Sequence, residues 1–104
     1  MSYKLHPLSG VDDDISHAVE WYESQQKGLG ERFIDDWESA VAYILSNPFT
    51  FAKKTKSFRQ ALLKNFPYLI IYEIVDNLIV IYAVVNGKQH PKKRYNKKNS
   101  INNL

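Results

Sequence analysis

Two apolar segments separated by two polar residues constrain the fold of this chain more than any other feature of its sequence. The segments are Tyr68–Val75 (YLIIYEIV) and Leu78–Val85 (LIVIYAVV), and Asp76-Asn77 lies between them. Asp and Asn tolerate the left-handed conformations that a two-residue hairpin turn requires. Because nearly every position is apolar, we expect both strands to be central in a sheet and covered on at least one face.

Two segments in the first half of the chain have the periodicity of amphipathic helices that can cover such a sheet. In the first, apolar residues recur with the i, i+3, i+4, i+7 spacing of one helix face, at Ile15, Ala18, Val19 and Tyr22. The second has a longer apolar stripe, formed by Phe33, Ile34, Trp37, Ala40, Val41, Ile44 and Leu45. Lys27–Gly30 is expected to turn the chain between them, and Asn47-Pro48 to end the second helix.

The remaining segments complete a small α+β fold. Tyr3–Leu8 predicts a short first strand, and Pro7 indicates that this strand either ends early or lies at an edge. Phe49–Lys56 is interpreted as a loop, and Ser57–Lys64 predicts a strand. The expected order is a strand, a helical hairpin and a three-stranded antiparallel meander in a single domain. We expect residues 1–95 to form this domain and residues 96–104 to be a basic, Asn-rich flexible tail.

Composition excludes several classes of protein. The 104 residues suffice for one core, and the absence of cysteine rules out disulfides and thiolate metal sites. His6 and His17 have no partners at ligand spacing, and a helix N-terminus explains the three consecutive acidic residues Asp12–Asp14. We therefore predict neither a metal nor a cofactor. No apolar run is long enough to span a membrane and no signal sequence is evident, so a cytoplasmic protein is expected.

Charge is divided unequally along the chain. Residues 1–45 contain three basic and nine acidic side chains, whereas residues 46–104 contain eleven basic and two acidic ones. Such segregation is typical of an interaction surface rather than a requirement of the fold. Phosphate backbones and acidic protein partners are both candidates for the basic part.

Ordered short segments along the chain resemble the RelE/ParE superfamily of bacterial type II toxins, also called plasmid stabilisation proteins. The resemblance runs from about residue 3 to residue 95. It includes Trp21-Tyr22, Gly28-Leu29-Gly30, Asn47-Pro48, Arg59, Phe66-Pro67-Tyr68, Tyr72-Glu73 and Ala83-Val84. It implies a cytoplasmic toxin that a cognate antitoxin protein wraps and neutralises, with the same order of elements as the periodicity predicts.

The resemblance implies one of two targets. ParE-like members poison DNA gyrase, whereas RelE-like members cleave messenger RNA on the ribosome. The second reaction requires a base or orienting group, an acid for the leaving group and cations on the phosphate. In RelE these roles fall to basic residues on the sheet and a C-terminal Tyr.

Position by position, this sequence departs from the RelE-like set. Leu69 stands where the RelE pattern has an Arg, and Gln89 stands where it has another. Gln60 and Leu62 occupy the positions of the lysines on the second strand of that pattern. Asn86 also replaces a His that is common in the wider family. Gly87-Lys88 resembles the start of the Gly-Lys-Arg segment of RelE, and Tyr95 stands at the right spacing after Gly87. An RNA-cleaving member would therefore have to use Arg59, Lys88 and Tyr95.

Arg59 has two interpretations, because a charge in mid-strand needs a partner. It either contacts a phosphate or another target group on the open sheet face, or it forms an ion pair with Glu73. The remaining candidates for target binding are loop and tail cations, which are otherwise interpreted as solvated charge. These are Lys53, Lys54, Lys56, Lys92, Lys93 and Arg94.

These observations favour a type II toxin with ParE-like inhibition of gyrase or attenuated activity. Ribosome-dependent cleavage of mRNA is the enzymatic alternative, and a non-toxic nucleic-acid-binding or protein-binding module of the same fold is the third. Whether the chain is an enzyme stays open at this point. Both a homodimer and a toxin–antitoxin hetero-oligomer are compatible with the sequence.

Overall fold

The chain folds into a sheet with two helices on one face. The computed structural model describes residues 2–87. In chain order the elements are β1 (Lys4–Pro7), α1 (Val11–Gln25), α2 (Leu29–Ser46), β2 (Lys53–Thr55), β3 (Phe58–Leu62), β4 (Tyr68–Val75) and β5 (Leu78–Asn86). The α+β class and the element order predicted from the sequence are confirmed.

The two apolar segments are the inner strands of a five-stranded sheet, whose order is β1-β5-β4-β3-β2. β4 and β5 are antiparallel, and Val75 pairs with Leu78 across the predicted two-residue turn. Asp76 has a φ of 55° in that turn, as the hairpin requires. The expectation that these strands are central is therefore confirmed.

The two outer strands differ from the sequence prediction. β1 lies at an edge, as Pro7 indicated, but it runs parallel to β5, so the sheet is mixed. Residues 53–55 were expected to be part of a loop and instead form the edge strand β2, antiparallel to β3. The prediction was wrong because three consecutive exposed residues with two lysines show no apolar alternation. Lysines on a very short edge strand are a common protection against unwanted strand pairing.

The helical hairpin is held by one carboxylate. Glu23 accepts hydrogen bonds from the backbone N–H groups of Gly28 (3.0 Å) and Gly30 (2.9 Å). These bonds lower the pKa of Glu23. They satisfy two of the N–H groups that the start of α2 leaves without helical partners. Gly28 has a φ of 93°, which glycine adopts without the steric cost of a Cβ.

The core lies between the helices and the sheet. It includes Phe33 and Ile44 from α2 and Ile70, Tyr72, Ile79 and Ile81 from the inner strands. The apolar stripes predicted for the helices are therefore the surfaces that cover the sheet.

Three polar contacts fix the elements around this core. The Tyr72 hydroxyl donates to the Pro48 carbonyl (2.7 Å). Buried Asp36 accepts from the Asn65 backbone N–H (2.7 Å). The Val84 N–H donates to the Asp14 carboxylate (2.9 Å), beyond the point at which β1 ends, so a side chain replaces the missing strand partner.

Within residues 2–87, no helix is both long and apolar enough to cross a membrane. The predicted domain boundary at residue 95 and the tail 96–104 lie outside the described residues.

Candidate functional site

The open face of the sheet is the face that the helices leave uncovered. Strand alternation places Leu69, Ile71 and Glu73 on it, because Ile70 and Tyr72 belong to the core. Leu62 pairs with Leu69, and Gln60 with Ile71. The three positions at which a RelE-like nuclease would carry cations, Gln60, Leu62 and Leu69, therefore share this face. All three are uncharged here.

Glu73 is the charged group on this face of β4. Its carboxylate accepts hydrogen bonds from the hydroxyls of Ser57 and Tyr82, the latter at 2.7 Å. These bonds hold the pKa of Glu73 below its ordinary value. The same contact and partial burial raise the pKa of Tyr82. The open face thus presents a fixed carboxylate among apolar side chains.

Tyr82 lies beside Glu73, next to a local irregularity in the sheet. The pairing of β4 and β5 shifts between Ile71 and Tyr72, so that Ala83 and Ile81 pair with them and Tyr82 is the extra residue. The Tyr82 ring packs edge-on against Phe58, with centroids 4.8 Å apart. Val80 pairs with Glu73, so strand alternation places Tyr82 on the same open face, where it completes the Ser57–Glu73–Tyr82 group.

Arg59 lies on the opposite face from the one expected. It pairs with Tyr72, whose side chain is in the core, while Glu73 pairs with Phe58. Neighbouring positions across antiparallel strands share a face, so Arg59 points to the helix side. Both structural interpretations of Arg59, a contact on the open face and an ion pair with Glu73, were therefore wrong. Sequence alternation with buried Ala61 was the signal that could have shown this.

Arg59 is held at the edge of the helical layer. Its Nη1 donates to the Phe51 carbonyl (2.6 Å), and its guanidinium carbon lies 5.2 Å from the centroid of the Phe49 ring. Phe51 in turn packs edge-on against Tyr43, with centroids 5.9 Å apart. Lys53 pairs with Arg59 across β2 and β3. One cationic and aromatic surface results.

The other predicted cations fall into two groups. Lys54 and Lys56 are exposed, as is Lys53, and Lys56 has a φ of 45° in the β2–β3 turn. The remaining candidates lie outside the described residues: Lys88, Lys92, Lys93, Arg94 and Tyr95. The structure therefore brings Arg59 and Lys53 together and leaves the proposed Arg59–Lys88–Tyr95 set a prediction.

An open cavity of about 480 Å³ lies at the β3–β4 turn, and its lining includes Leu62, Lys64, Leu69 and Gly87. Leu62 is 61% exposed beside it. The cavity is largely apolar and adjoins the open face. Among the described residues, no group of three or more His, Cys, Asp or Glu side chains is arranged to hold a metal ion.

Comparison with known proteins decides the family. Residues 8–91 match the model of the family described as ParE toxin of type II toxin-antitoxin system, parDE. The chain belongs to the ParE toxin family. It is also 30% identical over 92 residues to Toxin ParE2 of two Mycobacterium tuberculosis strains, CDC 1551 / Oshkosh and ATCC 25618 / H37Rv, with 88% of each chain covered.

Solved structures show the same fold. A chain from the chromosomal ParDE TA system of P. aeruginosa superposes with a TM-score of 0.72 at 12% identity, covering 82% of this chain and 96% of that one. A mutant of the E. coli toxin RelE in the free state superposes with a TM-score of 0.56 at 14% identity over 100% of both chains. The resemblance to the RelE/ParE superfamily is confirmed. At these identities the likeness concerns the fold alone.

The sequence did not indicate two features of the candidate site. The Ser57–Glu73–Tyr82 group joins side chains from three separate segments, and no local pattern indicates their contact. The contact of Phe49 with Arg59 depends on how the chain leaves α2. The available signal for the second was the proximity of aromatic residues to the lysines, in the segment NPFTFAKKTK.

Proposed function

We propose that this ParE-family toxin restrains bacterial growth by acting on DNA gyrase and is neutralised by a cognate antitoxin. The observation that carries the choice of target is the composition of the open sheet face. Gln60, Leu62 and Leu69 supply no cation there, and the fixed charge is the Glu73 carboxylate. Cleavage of RNA through its 2′-hydroxyl needs positive charge on the scissile phosphate, and a carboxylate repels that phosphate.

The antitoxin part of the proposal draws on two supports. The family description names the type II toxin-antitoxin system parDE, and the P. aeruginosa neighbour comes from a chromosomal ParDE TA system. The open face also has an exposed apolar rim, with Leu62 61% and Val75 40% exposed. Apolar patches with polar surroundings are typical of protein-binding surfaces. An antitoxin segment with apolar residues and a basic group opposite Glu73 would fit this face.

The test begins with tightly induced expression of the full chain in bacteria, with and without the neighbouring small open reading frame. Growth arrest that the neighbour reverses is expected. The purified chain should then inhibit supercoiling by gyrase and leave ribosome-bound mRNA intact. If transcripts are cleaved and supercoiling is unaffected, the target is ribosome-bound mRNA rather than gyrase. Arg59, Lys88 and Tyr95 would then be the candidate catalytic residues. Normal growth at confirmed expression would indicate an attenuated toxin or a non-toxic binding module.

A matched pair of variants addresses the open face directly. Glu73→Gln keeps the size of the side chain and removes the carboxylate, whereas Glu38→Gln makes the same change on the exposed surface of α2. If RNA cleavage were the activity, Glu73→Gln would increase cleavage by lowering repulsion of the phosphate. We expect no cleavage from either variant.

A further inference from the structure

We propose that the surface formed by Tyr43, Phe49, Lys53 and Arg59 binds single-stranded nucleic acid, with a base stacked on Phe49 and phosphates held by the two cations. We call these four residues the aromatic–basic surface. It lies on the helix side of the sheet, away from the open face. The inference goes beyond the proposed function, since it concerns a ligand of the chain itself and is tested without gyrase or an antitoxin.

The loop that presents Phe49 is fixed at both ends. Asn47 ends α2, and its carbonyl accepts the Thr50 N–H (3.1 Å). The Pro48 carbonyl accepts the buried Tyr72 hydroxyl (2.7 Å), and the Phe51 carbonyl accepts Arg59 Nη1 (2.6 Å). Phe49 is therefore held in place by bonds to the core strands. A preformed site loses less conformational entropy on binding.

Phe49 is nevertheless largely in contact with solvent. It is 62% exposed, and Tyr43 is 48% exposed. A phenyl ring left in water forgoes the favourable free energy of burial, and here it is held beneath a guanidinium 5.2 Å from its centroid. One side of the ring thus has a cation–π partner. The exposed remainder is available to a second flat group, and nucleic-acid bases stack on aromatic rings irrespective of sequence.

Positive charge lies directly beside the ring. Lys53 and Arg59 are a cross-strand pair, so their side chains share the face on which Phe49 lies. Lys53 is exposed, and only Nη1 of Arg59 is engaged with a carbonyl among the contacts of the described residues. The cations are therefore able to contact phosphates. Lys54 and Lys56 are also exposed, on β2 and in its turn.

The combination selects a single strand over other polyanions. Each nucleotide supplies a flat base and a phosphate, which match a ring and cations side by side. In a duplex the base faces are already stacked, so Phe49 has nothing to contact. An acidic peptide offers carboxylates for the lysines and leaves the ring without a flat partner. Single strands of DNA and of RNA both supply a base and a phosphate, so both fit this surface. The experiment below compares the two.

The test is fluorescence anisotropy with the full chain and labelled probes of about 16 nucleotides, near the upper site size of a single-strand-binding domain. The probes are oligothymidine, oligouridine and a duplex of equal length, with polyglutamate as a competitor. We expect tighter binding to the single strands than to the duplex. Comparable affinity for oligothymidine and oligouridine would indicate that the site accepts both DNA and RNA. A preference for one of them would identify the kind of strand that the site binds.

Variants assign the binding to the surface. Phe49→Ala should weaken binding to a single strand on the order of tenfold, whereas Phe49→Trp should preserve it. Trp21→Ala is the control and should leave binding unchanged, because Trp21 is 58% exposed on α1, outside this surface. Lys53→Ala should lower the slope of log affinity against log salt by about 0.7, relative to Lys27→Ala in the hairpin turn. Basic residues beyond residue 87 are common to all variants, so only the differences count.

Three results would overturn the proposal. One is a Phe49→Ala variant that is folded by circular dichroism and binds single strands as the parent does. Another is equal affinity for duplex and single strand, which would mean binding by charge alone. The third is displacement of the probe by polyglutamate at lower concentration than by unlabelled oligothymidine, which would make an acidic protein the ligand. None of these depends on whether gyrase is the cellular target.

Discussion

The hydroxyl of Tyr72 shows how much one polar atom contributes in this core. The side chain is fully buried, and its hydroxyl donates to the Pro48 carbonyl at 2.7 Å. Tyr72→Phe would leave that carbonyl without its donor, so we expect a loss of about 1–2 kcal/mol in the free energy of unfolding, measured by urea denaturation. Tyr43→Phe is the matched control, because that ring is 48% exposed. Equal stability of the two variants would contradict the assigned bond.

Glu73 gives a prediction about pH. Hydrogen bonds from Ser57 and Tyr82 place its pKa in the folded chain below its ordinary value. A lowered folded-state pKa stabilises the fold above the unfolded-state pKa, and this contribution disappears as the pH falls through the folded-state value. We expect Glu73→Gln to be less stable than the parent near pH 7, with the difference shrinking below about pH 4. A difference in unfolding free energy that stays constant down to pH 2 would contradict this.

At the scale of elements, the helical hairpin depends on close contact at Gly30. A Cβ there would lie 3.0 Å from the Val19 carbonyl oxygen and 3.0 Å from Glu23 Oε1. Alanine normally favours a helix by about 1 kcal/mol over glycine, but the backbone oxygen cannot move without separating the helices. We therefore expect Gly30→Ala to cost about 1–3 kcal/mol, measured by thermal unfolding. Gly10→Ala, with nothing within 4 Å of its Cβ, should be neutral or stabilising, and a stabilising Gly30→Ala would contradict the contact.

The features that were predictable from the sequence are those that a local residue pattern determines. The ends of β4 and the start of β5 followed from apolar runs and a turn, and the apolar stripe of α2 identified its buried face. The parallel pairing of β1 with β5 joins segments that are more than 70 residues apart, and no local pattern specifies it. The strand β2 was missed because its residues are exposed. The side of the sheet that Arg59 faces was predictable from Ala61, whereas the bulge at Tyr82 was not.

At the scale of the molecule, the two faces of the sheet have different chemistry. On the helix side, cations and aromatic rings lie near the edge strand β2. The open side has an exposed apolar rim and the carboxylate of Glu73, which hydrogen bonds hold in place. The charge division along the sequence indicated that some surface was basic, but the strand pairing decides which one. Lys53 and Arg59 meet only because β2 pairs with β3. The family resemblance was sufficient for the fold, while the distribution of charge over the faces required the structure.

The open face provides the last prediction, which concerns neutralisation by the antitoxin. Leu62 is 61% exposed next to the cavity at the β3–β4 turn. If the antitoxin covers this face, Leu62→Glu buries a charge without a partner, which costs about 3–5 kcal/mol in interior positions. We expect co-expression of the antitoxin to rescue growth from the parent toxin and from Trp21→Glu, a similarly exposed site on α1, but not from Leu62→Glu. Toxicity of Leu62→Glu alone provides the control for folding. Rescue of a toxic Leu62→Glu variant would place the antitoxin elsewhere on the molecule.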